Sequence, residues 1–114
     1  MPNYSAQLDQ VFHALGDSTR RAVLEQLGNG PASAGKLAQR FDMALPSFMQ
    51  HLDVLESRGL VHSTKSGRVR VYELAPQPLK AAEHWMVKQR ALWERRLDQL
   101  DNYLKELKRK NQHE

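Results

Sequence analysis

Residues 33–74 read SAGKLAQRFDMALPSFMQHLDVLESRGLVHSTKSGRVRVYEL, and this stretch decides the fold. The apolar residues Phe48, Leu52 and Leu55 stand at i, i+4 and i+7, which is the spacing of one helix face. Further along, the spacing changes from the helical to the strand period, and the Ser-Gly pair at 66–67 is a hairpin turn signal. The stretch therefore predicts a short helix, a tight turn, a longer helix and a basic β-hairpin, in that order.

Two further helices are predicted before this stretch. Residues 8–15 place apolar side chains at i, i+3, i+4 and i+7, and Ser5 is a suitable N-cap for that helix. Asp17 is suited to cap a second helix, and Ser33 is suited to cap the short third one. The hairpin therefore follows four helices.

One long helix is predicted from Leu79 to about Arg109, because this segment contains neither Gly nor Pro. It would span roughly 45 Å. Its apolar residues form a heptad seam and a second stripe, and a chain of this size has too little structure to cover both. A homodimer is the economical solution. The predicted dimer contacts lie on the first and last helices and are Leu8, Val11, Phe12, Trp85, Trp93, Leu97, Leu100 and Leu104.

The size and composition of the chain favour one soluble domain. With 114 residues, a single domain over residues 1–114 is expected, with a core at 5–78 and a dimerisation helix at 79–110. Cysteine is absent, which excludes disulfides, thiolate metal sites and a cysteine nucleophile. No apolar run reaches the roughly 18 residues of a membrane helix, and the first residues lack the blocks of a signal peptide. We therefore expect a cytoplasmic protein with no membrane partner.

The net charge of +4 is unevenly distributed along the chain. Residues 1–59 carry −1, residues 60–74 carry +2 and residues 75–114 carry +3. The positive excess thus falls in the hairpin and in the C-terminal segment. Such a distribution suits a partner that carries phosphates.

The order of elements is typical of a winged helix-turn-helix, a mainly α fold with a two-stranded β-hairpin wing. The major groove of B-form DNA admits one α-helix, and the fourth helix keeps one face free of its apolar stripe. On that face, Gln50 can pair with adenine in a bidentate manner, and Ser47 can bond a phosphate or a base edge. The cations of the hairpin suit the DNA backbone or the adjacent minor groove. The predicted contacts to double-stranded DNA are Ser33, Lys36, Pro46, Ser47, Met49, Gln50, His51, Lys65, Arg68 and Arg70.

Less specific interpretations stay open for several of these residues. Ser47 and Gln50 could lie on a solvated helix face, and the hairpin cations could be solvated as well. His51 lies beside the apolar stripe, so it fits a packed, hydrogen-bonded histidine as well as a DNA contact. Arg20 and Arg21 could contact DNA or pair with neighbouring carboxylates.

Three segments resemble the ArsR/SmtB type of bacterial winged-helix repressors: residues 13–24 (HALGDSTRRAVL), 45–61 (LPSFMQHLDVLESRGLV) and 67–74 (GRVRVYEL). The resemblance covers roughly residues 8–75, and the last helix is similar to that of one metal-independent branch. Ala44 stands where the family usually has a hydroxyl N-cap, which weakens the start of the fourth helix by about 0.5–2 kcal/mol. The resemblance implies a homodimer, joined through the first and last helices, that binds a palindromic operator and represses transcription.

The metal sites of that family are not matched in this sequence. Ser33 and Gly35 stand where the metal sensors of the family carry a cysteine pair. For the second metal site of the family, the last helix offers only Glu83, His84 and Glu94, at unsuitable spacing. No metal and no other cofactor is therefore expected.

Three other functions compete with that of a repressor that binds an imperfect inverted repeat. A sensor that responds to a small-molecule effector would share the fold and hold its ligand between the long helices. A protein-interaction module would explain the apolar Leu45, Phe48 and Met49, although it has no need for the hairpin cations. An enzyme is disfavoured, because the chain has no Gly-rich phosphate loop and no recognisable nucleophile–base pair.

Overall fold

The computed structural model describes residues 3–112, with side chains described from residue 6 onward. The chain is mainly helical with one antiparallel sheet, which confirms the predicted fold class. It divides after Ala82 into two compact units, and the single domain expected from the sequence stays a prediction. The elements are α1 (Asn3–Leu15), α2 (Ser18–Leu27), β1 (Ala32–Ser33), α3 (Ala34–Ala38), α4 (Leu45–Ser57), β2 (Val61–Ser66), β3 (Val69–Leu74) and α5 (Pro76–Gln112).

The core of the first unit is built around the predicted stripe on α4. Phe48, Leu52 and Leu55 each have 1% or less of their surface exposed. Burial of each such side chain contributes about 1.5–3 kcal/mol. The same apolar cluster also contains Leu8, Val11, Ala14, Val23, Leu24, Leu27, Ala32, Leu37, Leu60, Val61, Tyr72 and Ala82.

Side chains cap two of the helices as predicted. Asp17 Oδ2 accepts a hydrogen bond from the backbone N–H of Arg20 at 3.0 Å, at the start of α2. Ser33 Oγ accepts one from the backbone N–H of Lys36 at 3.1 Å, at the start of α3. Helix α4 has Ala44 at its N-cap and no side-chain cap bond, so the predicted lack of a hydroxyl cap is confirmed.

Helices α1 and α5 begin earlier than predicted. Helix α1 begins at Asn3, so Ser5 lies within its first turn and is not the N-cap. Helix α5 begins at Pro76, includes Pro78 and runs to Gln112. Both prolines fall in the first turn, where backbone N–H groups have no partner within the helix, so the missing donors cost little. No described helix combines the length and the apolar character that crossing a bilayer demands.

A glycine in the left-handed conformation ends α4. Gly59 has a φ of +82°, and its N–H donates to the carbonyl of Glu56 at 3.0 Å. The N–H of Leu60 donates to the carbonyl of Leu55 at 2.9 Å, which completes a Schellman motif. The motif reverses the chain, so that Leu60 enters the core and β2 begins at the next residue.

The sheet has three strands rather than the predicted two, with β3 between β1 and β2. Strand β1 is only Ala32–Ser33, and it could not be predicted because it is too short to show an alternating pattern. The hairpin turn lies one residue later than predicted, at Gly67 and Arg68, because Ser66 pairs with Val69. Arg68 therefore lies in the turn and not in a strand. Strands β2 and β3 together with this turn form the wing.

The substitution Gly59→Ala is expected to lower the free energy of unfolding by about 1–2 kcal/mol, because alanine is strained in the left-handed conformation. An added Cβ would have Pro78 Cγ as its nearest atom, at an ordinary 3.7 Å, so the loss reports backbone strain alone. Gly35→Ala is the matched control. Gly35 lies in α3 with nothing within 4 Å of an added Cβ, and alanine there should stabilise by up to about 1 kcal/mol. Chemical denaturation measures both variants, and equal effects would contradict the Schellman motif.

Candidate nucleic-acid interface

Helix α4 presents an exposed face opposite its buried stripe. Ser47 and Gln50 are both exposed and lie three residues apart, so they are neighbours on the helix surface. Pro46 is exposed beside them in the first turn. Met49 is partly buried and packs against the core, so its placement gives the predicted DNA contact no support.

The start of α4 is apolar and uncapped. Leu45 has 57% of its surface exposed, whereas Phe48, about one turn further on, has 1% exposed. No cap side chain satisfies the amide groups of the first turn. Such a helix end carries a partial positive charge and free N–H donors, which favour a nearby anion.

His51 connects α4 to the start of α2. Its Nδ1 lies 3.5 Å from Asp17 Oδ2 and 3.4 Å from Arg20 Nη1. The side chain is 24% exposed. This is the packed histidine that the sequence left open as the alternative to a DNA contact. Since Nδ1 is engaged within the chain, the predicted DNA contact through His51 is weakened.

Two arginines of α2 bind the C-terminal end of α1. Arg20 donates from Nε to the carbonyl of Ala14 at 2.8 Å and from Nη2 to that of His13 at 3.1 Å. Arg21 donates from Nη1 to the carbonyl of Leu15 at 2.7 Å. The last carbonyls of a helix lack partners within it and carry partial negative charge. Arg20 and Arg21 therefore hold the end of α1, which their sequence neighbourhood did not indicate.

The pKa of the Asp17 carboxyl is lowered from its ordinary value. The main cause is the hydrogen bond from the backbone N–H of Arg20, and the charges of His51 and Arg20 act in the same direction. Partial burial acts in the opposite direction but is a weaker effect than the hydrogen bond from Arg20. Asp17 thus holds its charge at the junction of α2 and α4.

The wing carries its cations close together. Lys65 and Arg70 are directly opposite each other on β2 and β3, so their side chains leave the same face. Both are exposed, as is Arg68 in the turn. Neither Lys65 nor Arg68 forms an ion pair with any residue that the structure describes. Like charges placed opposite each other destabilise a hairpin, and anions such as phosphates would relieve the repulsion.

A chain of polar contacts joins the wing to α4. Arg70 Nη1 donates to Ser63 Oγ at 2.9 Å. Ser63 in turn donates from Oγ and from its backbone N–H to Glu56 Oε2, at 2.6 Å and 3.1 Å. No sequence pattern marked Glu56 or Ser63, because they lie on different elements and meet only after the chain reverses at the end of α4.

Ser33 and Lys36 lie at the start of α3. The Ser33 hydroxyl has a confirmed structural role as the cap of this helix. The Lys36 side chain is exposed. Contact of either residue with a phosphate stays a prediction.

The second unit is a helix with an exposed apolar face. Leu97 is 63% exposed and Trp93 is 56% exposed. Leu100 and Leu104 are 53% and 52% exposed. A soluble chain seldom presents a row of large apolar side chains to water unless another surface covers them.

The prediction that Leu8 and Val11 contact a partner was wrong. They are 8% and 0% exposed, because α1 turns them into the core of the first unit. Phe12, next to Val11, is 36% exposed and is the member of the predicted α1 set that reaches the surface.

No metal site is formed in the part of the chain that the structure describes. It holds no group of three His, Cys, Asp or Glu side chains placed to bind an ion. Ser33, which stands at one of the positions of the missing cysteine pair, caps α3 instead. That the protein works without a metal stays a prediction.

The chain is similar to known regulators of transcription. The family described as a helix-turn-helix domain matches residues 15–64. The crystal structure of an ArsR family transcriptional regulator is 49% identical, covers 82% of this chain and 97% of that one, and superposes with a TM-score of 0.75. The transcriptional repressor SdpR of Bacillus subtilis is 31% identical over 80 residues, which are 70% of this chain and 89% of SdpR.

A third similar protein is known in solution. It is the homodimeric winged helix-turn-helix DNA-binding domain of a Mycobacterium bovis protein, solved by NMR. It is 26% identical, covers 79% of this chain and 82% of that one, and has a TM-score of 0.60.

The substitution Asp17→Asn is expected to remove a pH dependence of stability. Because the folded pKa of Asp17 is lowered, its stabilisation is present above the unfolded pKa of about 3.8 and is lost as the pH falls through the folded pKa. Asn is also a good N-cap, so the variant keeps the cap and loses the charge. The difference in free energy of unfolding between wild type and variant, measured by denaturation at acidic and neutral pH, should shrink in acid. A difference that stays constant would show that the charge does not stabilise the fold.

Proposed function

Because the chain belongs to the ArsR family of helix-turn-helix transcriptional regulators, we propose that it binds an operator as a homodimer and represses transcription. It is a DNA-binding regulator rather than an enzyme. Repression is named for SdpR, and a homodimeric state for the M. bovis domain. Both properties are proposed here for this chain.

The observation that carries the proposal is the exposed polar face of α4 with a cationic wing in the same unit. Gln50 would pair with an adenine in the major groove, and Ser47 would bond a base edge or a phosphate. Lys65, Arg68 and Arg70 would neutralise phosphates and fix the position of the protein on the duplex. The side-by-side placement of Lys65 and Arg70 supports this role. The repulsion between the two positive charges costs stability in the free protein, and a bound phosphate would relieve it.

A second copy of the chain is the proposed cover of the apolar face on α5. Burying large apolar side chains between copies removes them from water, at about 25 cal/mol for each Å². With Leu8 and Val11 in the core, the proposed contacts are Phe12, Trp85, Trp93, Leu97, Leu100 and Leu104.

Two-fold symmetry then sets the form of the operator. A symmetric dimer presents two copies of α4 related by a two-fold axis. They would reach half-sites about 34–36 Å apart, or a multiple of that distance. The proposed operator is therefore an imperfect inverted repeat.

The protein-interaction alternative loses most of its support. Phe48 is 1% exposed and Met49 packs against the core, so two of the three apolar residues that suggested it serve the fold. An effector site between the long helices stays a prediction, since it would form only between two copies.

The substitution Gln50→Ala is expected to weaken binding to the preferred sequence by about 1–3 kcal/mol for each base pair that Gln50 reads. The affinity for scrambled DNA should hardly change, and the salt dependence of binding should hardly change either. The measurement is a titration of fluorescent duplexes at several salt concentrations. The specific duplex is the one that the wild-type protein selects from a random library.

Arg68→Ala is the matched variant on the wing. It should weaken binding to both duplexes alike and lower the salt slope by roughly two for a dimer, one for each phosphate contact removed. If Gln50→Ala weakens both duplexes equally, Gln50 is not a base reader. If Arg68→Ala leaves affinity and slope unchanged, the wing does not contact DNA.

The double substitution Leu97→Glu and Leu100→Glu is expected to dissociate the dimer, because an interface that buries unpaired charges is strongly destabilised. Sedimentation at micromolar concentration should give twice the 13.1 kDa chain mass for wild type and the single mass for the variant. Asn102→Glu adds one such charge on the opposite side of α5 and should stay dimeric. A wild-type protein that sediments as a monomer would overturn the proposed assembly.

A further inference from the structure

We infer that Leu45 reads the methyl group of a thymine in the major groove, a contact that the polar residues of α4 do not provide. The inference rests on the proposed function, because Leu45 reaches a base only if α4 lies in the groove. It assigns the specificity for one chemical group to one side chain.

Leu45 is the most exposed large apolar side chain in the described part of the first unit. It is 57% exposed, compared with 49% for Val69 and 36% for Phe12 and Met43. It does not belong to the apolar cluster that forms the core, nor to the residues that pack against that cluster. Leu45 is therefore not part of the core.

The position of Leu45 is more informative than its exposure, since single exposed apolar residues are common. It is the first residue of α4. In helix-turn-helix proteins the N-terminal residues of the groove-bound helix contact base edges. Leu45 thus lies at the end of α4 that would penetrate deepest, in the same turn as Ser47.

The chemistry of the groove leaves one partner for such a side chain. Leucine has neither donor nor acceptor, so its contact with a base must be apolar. The C5-methyl group of thymine is the apolar group that a base pair presents in the major groove. Ser47 and Gln50 recognise hydrogen-bonding groups, so Leu45 would add information that they cannot read.

The test removes the methyl group from the DNA and the side chain from the protein. Wild type first selects its preferred duplex from a random library. That duplex is then made with deoxyuridine in place of one thymidine at a time, and affinities are measured for wild type, Leu45→Ala and Met43→Ala. Thermal unfolding of each variant verifies that the fold is kept.

Wild type should lose about fourfold in affinity when one particular thymidine in a half-site is exchanged, which is the effect of one buried methyl group. Leu45→Ala should bind the thymidine duplex more weakly and show no further loss on that exchange. Met43→Ala, exposed near the start of the same helix, should keep the full loss.

Two outcomes would overturn the inference, and they differ in what else they overturn. Wild type could bind its selected duplex specifically while Leu45→Ala loses as much affinity as wild type at every deoxyuridine exchange. In that case Leu45 reads no methyl group and the proposed function stands. If wild type selects no sequence over scrambled DNA, the proposed function fails and the inference fails with it.

Discussion

The orientation of α4 about its own axis follows from the burial of Phe48, Leu52 and Leu55. Each of these side chains has 1% or less of its surface exposed, and loss of one large core side chain costs about 2–5 kcal/mol. Successive helix residues are about 100° apart, so turning α4 by one position would expose the stripe and bury polar groups. Packing alone therefore decides that Gln50 faces outward, and no contact made by Gln50 itself is needed to hold it there.

A single guanidinium group, that of Arg20 on α2, couples α4 to α1. Arg20 has five N–H donors, and they reach the end of α1 through Ala14 and His13 and the side of α4 through His51. Asp17 completes the junction by capping α2 and lying 3.5 Å from His51. A movement of α1 would therefore strain the contacts of Arg20, and through them the position of α4.

The sequence predicted the parts of this architecture that depend on local chemistry. The helix stripe and the caps Asp17 and Ser33 are each set by a few neighbouring residues, and the structure confirms them. What it missed depends on contacts between distant elements. Strand β1 is defined only by its partner β3, and the inward direction of Leu8 depends on what packs against α1.

The features of the candidate site also separate into those that local sequence could predict and those that it could not. The exposed face of α4 could be predicted because it is the complement of an apolar stripe. The engagement of His51 and the contact between Glu56 and Ser63 could not, because hydrogen bonds between separate elements leave no periodic trace in the sequence. The prediction of an apolar interaction surface was incomplete for a related reason. Periodicity already places Phe48 on the buried stripe, whereas the partial burial of Met49 depends on how the rest of the core packs against α4.

The anchoring of the wing has a consequence for how such a protein can diverge. The wing is fixed at its base, where Tyr72 is buried and pairs with Ala32, and where Ser63 is tied to Glu56. Its turn at Gly67 and Arg68 is exposed and takes no part in the core. Duplicated genes could therefore change the length and charge of this turn. The encoded proteins would then differ in their affinity for DNA while keeping the same preferred sequence. Overall affinity and sequence preference would then be separately heritable traits within one short chain.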